Sequence, residues 1–290
     1  MRRVDLHVHS TASDGTATPE EVALMAGKGR LDLVALTDHD TTAGLPEFLE
    51  ACVRSSLTGL TGIELSAEAP YTLHILGYGI VLGSSVLERH LCRLRERRRE
   101  RNEAVRLRLA DLGCPLEAEE IEREACGDVV ARPHIARALV RRGYVPDMTT
   151  AFQRFLGRDG AAYVPRRRLD AESCIETIGA AGGVASLAHP IQTGLDDDEL
   201  KRLLFRLKDA GLWGLECYSG HHAAAERLRF LRLAAEMGLE PTAGSDYHGA
   251  NRPDVALGVE IEESHFPYLF LMNLASSREG FPKSSLQDGF

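Results

Sequence analysis

The amino-acid sequence predicts an α/β barrel with an inserted helical subdomain. Short β-favouring runs alternate with segments of helical length, most of those runs end at a chemically active polar residue, and about 80 residues in the middle show helical patterning alone. An open doubly wound sheet is an alternative fold that would show the same alternation of strands and helices. Because such a sheet gathers its active residues at one crevice, active residues at the ends of most strands favour a closed barrel.

Seven runs are predicted as strands because they are rich in apolar and β-branched residues and are bounded by turn or helix-ending residues. Helical segments separate most of them, so the sheet is expected to be mostly parallel with helical crossovers. The predicted strands cover residues 4–9, 33–39, 62–66, 73–80, 184–189, 214–218 and 241–246.

Helices are predicted between the strands. The first begins at Thr18, which can cap it, with Pro19 at the first helical position and Glu21 three residues after the cap. Further helices are predicted at about residues 44–56, 86–112, 170–181, 196–210 and 222–237.

Charge separates the inserted segment from the rest of the chain. The 290 residues carry a formal net charge of −9, yet residues 89–168 hold 19 arginines, no lysine and 12 acidic residues. That segment is therefore at +7 and the remainder at −16. We predict a catalytic barrel made of residues 1–85 and 169–290, and an arginine-rich cap, residues 86–168, that binds an anionic substrate.

Composition excludes several classes of protein. Apolar residues make up 44% of the chain and charged residues 27%, as in globular proteins. No apolar run approaches the roughly 18 residues of a membrane span, and the first residues lack the apolar stretch of a secretion signal. A cytoplasmic protein without membrane association or an obligate protein partner is expected. The six cysteines form no C-x-x-C pair and are expected to be reduced.

Histidines and carboxylates recur at the strands in patterns that suit metal binding. His7 and His9 leave the same face of the first strand, and Asp246 and His248 repeat that two-residue spacing. Glu64 interrupts an apolar strand, where a buried carboxylate needs a cation or hydrogen-bond donors. The pair His7 and His9 alone could equally be exposed to solvent.

Nine such side chains at six strand-associated places indicate a metal centre. Imidazole and carboxylate ligands without thiolate suit Mn²⁺, Fe²⁺ or Zn²⁺, and nine ligands are too many for one ion. We predict two or three divalent ions, with Mn²⁺ preferred, which would supply hydroxide at neutral pH and neutralise phosphoryl charge. The candidate ligands are His7, His9, Asp14, His39, Glu64, His74, His189, Asp246 and His248.

Two of these candidates have distinctive local contexts. His189 is followed by Pro190, which should hold the histidine in an extended conformation at the end of its strand. His74 begins its apolar run, whereas most of the other candidates end theirs.

The motifs HVHSTASDGTATPEE, TDHDTTAG, GIELS, LAHP and GSDYH resemble the successive motifs of the PHP (polymerase and histidinol phosphatase) family of metal-dependent phosphoesterases. The resemblance implies a distorted (β/α)7 barrel, which agrees with the seven predicted strands. It assigns one ion to His7, His9, Glu64 and Asp246, a second to Asp14, His39 and His248, and a third to Glu64, His74 and His189. It also implies a catalytic set of His7, His9, Asp14, His39, Glu64, Asp246 and His248.

The segments RERRRERN and ARPHIARAL resemble the helical insertion of one bacterial branch of this family. That resemblance implies hydrolysis of the 3′-phosphate of nucleoside 3′,5′-bisphosphates, leaving AMP-type 5′-mononucleotides, and in some members trimming of short RNA from 5′ to 3′. Arginine suits phosphate because its guanidinium donates two parallel hydrogen bonds. The predicted substrate contacts are Arg98, Arg101, Arg132, His134, Ser219 and His222, with His221 beside them.

Other activities stay open at this level. A histidinol-phosphate or other small-molecule phosphatase would use the same ligands, and an exonuclease role would need a channel for a single strand. A catalytically inactive binding module is a third alternative, although all nine ligand positions are filled. Neither a P-loop nor a G-x-S-x-G sequence is present.

Overall fold

Eight β-strands form a nearly closed barrel in a computed structural model, which describes residues 1–124, 130–165, 169–220 and 222–276. All seven predicted strands are confirmed. The strands are β1 (Arg2–Val8), β2 (Leu33–Leu36), β3 (Thr58–Ser66), β4 (His74–Tyr78), β5 (Val184–Leu187), β6 (Leu212–Ser219), β7 (Glu240–Gly244) and β8 (Val259–Ile261). Their order in the sheet is β7-β6-β5-β4-β3-β2-β1-β8.

The two ends of the sheet meet at β1. The backbone N–H of Asp246, just after β7, donates to the carbonyl of His7, and His9 donates to the carbonyl of Tyr247, both at 2.9 Å. β8 pairs antiparallel with the first residues of β1. It was not predicted, because three residues are too few to show a periodic pattern.

One of the seven predicted strands runs against the expected parallel direction. β4 is antiparallel to both of its neighbours, β3 and β5, whereas β1–β2, β2–β3, β5–β6 and β6–β7 are parallel. A short connection, residues 67–73, joins β3 to β4. A parallel crossover needs a dozen or more residues, so a short connection can only reverse the chain.

Helices cover the barrel and fill the segment between β4 and β5. At the first helix, Thr18 Oγ1 accepts a hydrogen bond from the N–H of Glu21, whose carboxylate accepts one from the N–H of Thr18, as predicted. The helices are α1 (Pro19–Lys28), α2 (Leu45–Arg54), α3 (Ser85–Asp111), α4 (Ala118–Glu122), α5 (Arg132–Arg141), α6 (Met148–Ala151), α7 (Ala171–Ala180), α8 (Asp197–Asp209), α9 (Ala224–Met237) and α10 (Tyr268–Ser276). For α4, α5 and α6 only the helical patterning of the inserted segment was predicted, and α10 was not predicted.

Two hydrophobic clusters are joined by α3. Its first half packs Leu87, Leu91 and Leu94 into the barrel cluster, and its second half packs Val105 and Leu109 into a separate cluster built with α4, α5 and the turn at 152–156. We call the described part of residues 86–168 the cap. The continuous helix carries the cap's apolar cluster beside the barrel's.

None of the described helices is both long enough and apolar enough to cross a membrane.

Candidate metal centre

The nine predicted ligand side chains converge at one end of the barrel. They come from the carboxyl-terminal ends of the parallel strands, from the loop after β1 and from the start of β4. Within each of four overlapping groups, the possible ligand atoms lie within 4.8 Å of one another. The groups are His9, Asp14, His39 and His248; His7, His9 and Asp246; His7, Glu64 and His189; and His39, Glu64 and His74.

Glu64 lies at the centre of the cluster. Its Oε1 is 3.3 Å from His7 Nε2, 2.8 Å from His74 Nδ1 and 3.1 Å from His189 Nε2. Its Oε2 is 3.2 Å from His9 Nε2 and 2.7 Å from His39 Nδ1. This fully buried carboxylate therefore touches all three of the ligand sets that the family resemblance implies.

The reversed direction of β4 explains why His74 begins its strand. In the antiparallel pairing, His74 lies opposite Ser66, the last residue of β3. The start of β4 therefore lies at the same end of the barrel as the carboxyl-terminal ends of the parallel strands. A parallel β4 would place His74 at the opposite end of the barrel.

The geometry fits divalent cations. Among the described residues, buried atoms without a hydrogen-bond partner include His7 Nε2, both ring nitrogens of His9, His39 Nδ1 and Glu64 Oε2. His7 Nε2, His9 Nε2 and His39 Nδ1 lie 2.7–3.3 Å from oxygens of Glu64, yet in directions that are not those of hydrogen bonds. Ligand atoms that share one ion at about 2.1 Å lie about 3.0–3.4 Å apart, and Asp246 Oδ1 is 3.4 Å from both His7 Nε2 and His9 Nε2.

The charge balance of the cluster also favours cations. Burial by itself lowers the pKa of His9, but the carboxylates of Asp246 and Glu64 outweigh it and raise that pKa to about 10. Burial by itself raises the pKa of the Asp14 carboxyl. The neighbouring rings of His39, His248 and His9 outweigh burial and hold that pKa well below the usual range. The buried carboxylates thus attract positive charge, whether it arrives as protons or as metal ions.

Two ligand candidates occupy unusual backbone conformations. Asp246 has φ 60° and His189 has φ 24° with ψ 64°. The prediction of an extended His189 is therefore wrong. Its N–H donates to Glu216 Oε2 at 2.6 Å while its Nε2 reaches Glu64, and these two contacts hold the residue in the left-handed region.

Two carboxylates outside the predicted ligand set support the ligands, and of these Glu216 was not anticipated from the sequence. Glu216 on β6 is fully buried and accepts hydrogen bonds from His7 Nδ1 at 3.0 Å and from the His189 N–H. Asp38 accepts from Ser10 and Ser13 at the start of the loop that carries Asp14. Glu216 interrupts an apolar strand just as Glu64 does, and the same reasoning would have identified it.

A cavity of about 660 Å³ opens from the cluster between the barrel and the cap. Asp14, His39 and His74 line it, together with all three arginines predicted to contact substrate: Arg98, Arg101 and Arg132. Arg98 also pairs with Asp40 at 2.7 Å, Arg101 Nε donates to the carbonyl of Val164, and Arg132 Nη1 donates to the carbonyl of Leu156. These contacts orient the guanidinium groups at the cavity wall.

The other predicted substrate contacts, His134, Ser219 and His222, are not among the residues that line this cavity. His134 is buried in the first turn of α5, where its Nδ1 accepts from the N–H of Ala131, so that Nε2 carries the ring proton. Ser219 and His222 are buried near the end of β6, and the ring of His222 packs against Phe230. His221 lies outside the described residues.

His134 gives a testable dependence of stability on pH. Burial lowers its pKa from 6.5 to about 4, so the folded state favours the neutral ring. The stabilisation is present above pH 6.5 and is lost as the pH falls from 6.5 towards 4. Glutamine at the same position keeps an acceptor for Ala131 but does not titrate. Between pH 7 and pH 5 we expect wild type to lose about 1 kcal/mol more of its unfolding free energy than His134→Gln, allowing for partial solvent screening.

Urea unfolding of the metal-free proteins at both pH values measures this difference. The ligand histidines titrate in both proteins and therefore cancel. His134→Ala, which lacks the acceptor, should be less stable than His134→Gln at both pH values. Equal pH dependence in wild type and His134→Gln would show that the ring does not carry the effect.

Comparison with known proteins identifies the family. The PHP domain model matches residues 5–107. A 3′,5′-nucleoside bisphosphate phosphatase from Chromobacterium violaceum is 36% identical over 259 residues, which cover 86% of this chain and 88% of the relative. The 5′-3′ exoribonuclease Rnm of Salmonella typhimurium is 35% identical, covering 84% of each chain. A phosphoribosyl 1,2-cyclic phosphate 1,2-diphosphodiesterase from Eggerthella lenta is also 35% identical, over 84% of this chain and 94% of its own.

Solved structures agree. An amidohydrolase from Chromobacterium violaceum, with bound sulfate and no metal, superposes with a TM-score of 0.82 at 33% identity, over 94% of this chain and 96% of its own. A candidate metal-dependent phosphoesterase from Bifidobacterium adolescentis gives a TM-score of 0.79 at 29% identity over the same shares. The chain therefore belongs to the PHP family of metal-dependent phosphoesterases.

Proposed function

We propose that this phosphoesterase removes the 3′-phosphate of nucleoside 3′,5′-bisphosphates and leaves the 5′-mononucleotide. The observation that carries the proposal is the cavity, in which a cluster of metal-ligand candidates and an arginine-lined wall face the same space. The phosphatase from Chromobacterium violaceum, 36% identical over most of both chains, supports the same substrate class.

The nine side chains would hold two or three divalent ions, with Mn²⁺ preferred. Such ions, when bound, supply an activated water and neutralise charge on the phosphoryl oxygens. Glu64 would act as the shared carboxylate, since it reaches five of the histidines. Glu216 orients the ring of His7 because its Oε1 accepts a hydrogen bond from His7 Nδ1, which leaves Nε2 directed into the cluster.

The cap would hold the second phosphate. Ala131, Arg132 and Pro133 at the start of α5 line the cavity, so the positive end of the helix dipole faces it. Arg98 and Arg101 face it from α3. An anion there receives charge-assisted hydrogen bonds that a substrate with one phosphate would not make.

A substrate panel tests the proposal. Protein loaded with Mn²⁺ should release phosphate from adenosine 3′,5′-bisphosphate with a kcat/KM at least about tenfold higher than from histidinol phosphate or AMP, since each hydrogen bond to a charged group contributes about 1.5–3 kcal/mol. AMP should be the nucleotide product in chromatography, and a chelator should abolish release. Equal rates on all three substrates, or release of the 5′-phosphate, would refute the assignment.

Trimming of short RNA is a second candidate. Arg89, Arg93 and Arg97 recur at every fourth residue of α3 and are all exposed, although like charges at that spacing repel each other. None of the three is among the residues that line the cavity, so only a strand that extends beyond the cavity would contact them. The relative from Salmonella typhimurium is a 5′-3′ exoribonuclease. Release of mononucleotides from a 5′-phosphorylated trinucleotide, weakened when the three arginines are changed to glutamine, would support this activity.

A further inference from the structure

The cavity between barrel and cap has an aromatic side that the phosphate chemistry does not use. Tyr71 lies in the connection between β3 and β4 and packs against the barrel's hydrophobic cluster. Phe152 lies in the turn after α6 and packs against the cap's cluster. Both rings are half-buried, and both line the cavity that Arg132 and His39 also line.

One contact at or next to each ring connects it to an arginine of the cap. The guanidinium of Arg132 lies 5.9 Å from the centre of the Phe152 ring. Arg158 of the cap donates from Nη1 to the carbonyl of Pro70 at 2.8 Å, which ties the cap to the residue next to Tyr71. Arg158 and Tyr163 also line the cavity.

The size of the cavity also exceeds what phosphate needs. A volume of about 660 Å³ is that of a site for a drug-sized organic molecule and is several times larger than an inorganic phosphate ion. Half-buried aromatic faces in such a cavity are stabilised when a flat apolar ligand covers them. A ligand that carries phosphate near Arg132 and a flat ring close by matches both features.

Building on the proposed function, we propose that Tyr71 and Phe152 form a subsite for the nucleobase of the substrate. The base stacks on one or both rings, with one ring supplied by the barrel and the other by the cap. The cavity therefore recognises a nucleotide as a whole, and the two hydrophobic clusters must be correctly apposed to complete the subsite.

Binding of AMP and of ribose 5-phosphate, measured by calorimetry with the Mn²⁺-loaded protein, tests this subsite. The two probes share ribose and phosphate and differ in the base. Wild type should bind AMP at least about tenfold more tightly than ribose 5-phosphate, because AMP carries a base that stacks on an aromatic ring and ribose 5-phosphate does not. Tyr71→Ala and Phe152→Ala should each weaken AMP binding about tenfold and change ribose 5-phosphate binding less than about twofold.

Phe205→Ala is the matched control, because Phe205 is an exposed aromatic on α8 that does not line the cavity. It should bind both probes as wild type does. Wild-type AMP affinity in both cavity variants, or an equal loss for both probes, would overturn the subsite. If adenosine 3′,5′-bisphosphate is not hydrolysed while base-dependent binding of AMP persists, the proposed reaction fails and the subsite stands.

Discussion

Replacing Glu64 with glutamine is expected to lower kcat/KM by at least about a thousandfold, because metal ions contribute several kcal/mol to stabilisation of the transition state. Glu64 reaches His7, His9, His39, His74 and His189 at 2.7–3.3 Å. Glutamine has nearly the same shape but lacks the negative charge, so it binds divalent cations weakly. The variant should also retain less metal than wild type.

Metal content by elemental analysis and hydrolysis of adenosine 3′,5′-bisphosphate are measured on the same samples. Glu260→Gln is the matched control, since Glu260 is also a strand glutamate but is exposed on β8. The control should keep full activity and full metal content. A Glu64→Gln protein with wild-type metal content and wild-type activity would remove Glu64 from the candidate ligands.

Replacing Glu216 with glutamine is expected to weaken Mn²⁺ binding about ten- to a hundredfold, as is typical for residues that orient metal ligands. Glu216 accepts from His7 Nδ1 and from the His189 N–H, so it acts through two ligand candidates. Loss of its charge makes the His7 ring a poorer donor to a metal. Saturating Mn²⁺ should restore kcat to within about tenfold of wild type, unlike the loss expected for Glu64→Gln.

A titration of activity against Mn²⁺ concentration separates this effect from general destabilisation. Glu240→Gln, at the exposed start of β7, should leave the midpoint of that titration unchanged. If the Mn²⁺ titrations of Glu216→Gln and wild type have the same midpoint, Glu216 does not position the metal ligands. The positioning role is also wrong if Glu216→Gln stays inactive at every Mn²⁺ concentration while it is fully loaded with metal.

Local patterns explain which parts of the fold could be predicted. The seven predicted strands and the hydrogen bonds of Thr18 at the start of α1 depend on side chains close together in the sequence. Apolar runs and hydrogen-bond acceptors are visible there. The direction of β4 depends on chain reversal, and its signal was the length of residues 67–73, which is too short for a crossover. The unpredicted β8 forms only because the start of β1 offers it a free edge.

The candidate ligands could be identified because metal chemistry restricts the residue types and because parallel strands end at one edge. Glu216 was overlooked although it shows the same pattern as Glu64. The partners of the predicted arginines could not be foreseen. Arg98 pairs with Asp40, 58 residues away in the sequence, because the first half of α3 packs against the barrel.

The fold class, the strands and the candidate metal ligands could be predicted from the sequence alone, because periodicity and residue chemistry are local properties. How the candidate ligands pack against one another depends on contacts between distant segments. The reversal of β4 brings His74 to Glu64, and the conformation of His189 depends on Glu216 of another strand. The cavity likewise exists only where two separate hydrophobic clusters meet, since packing between distant segments leaves no periodic trace in the chain.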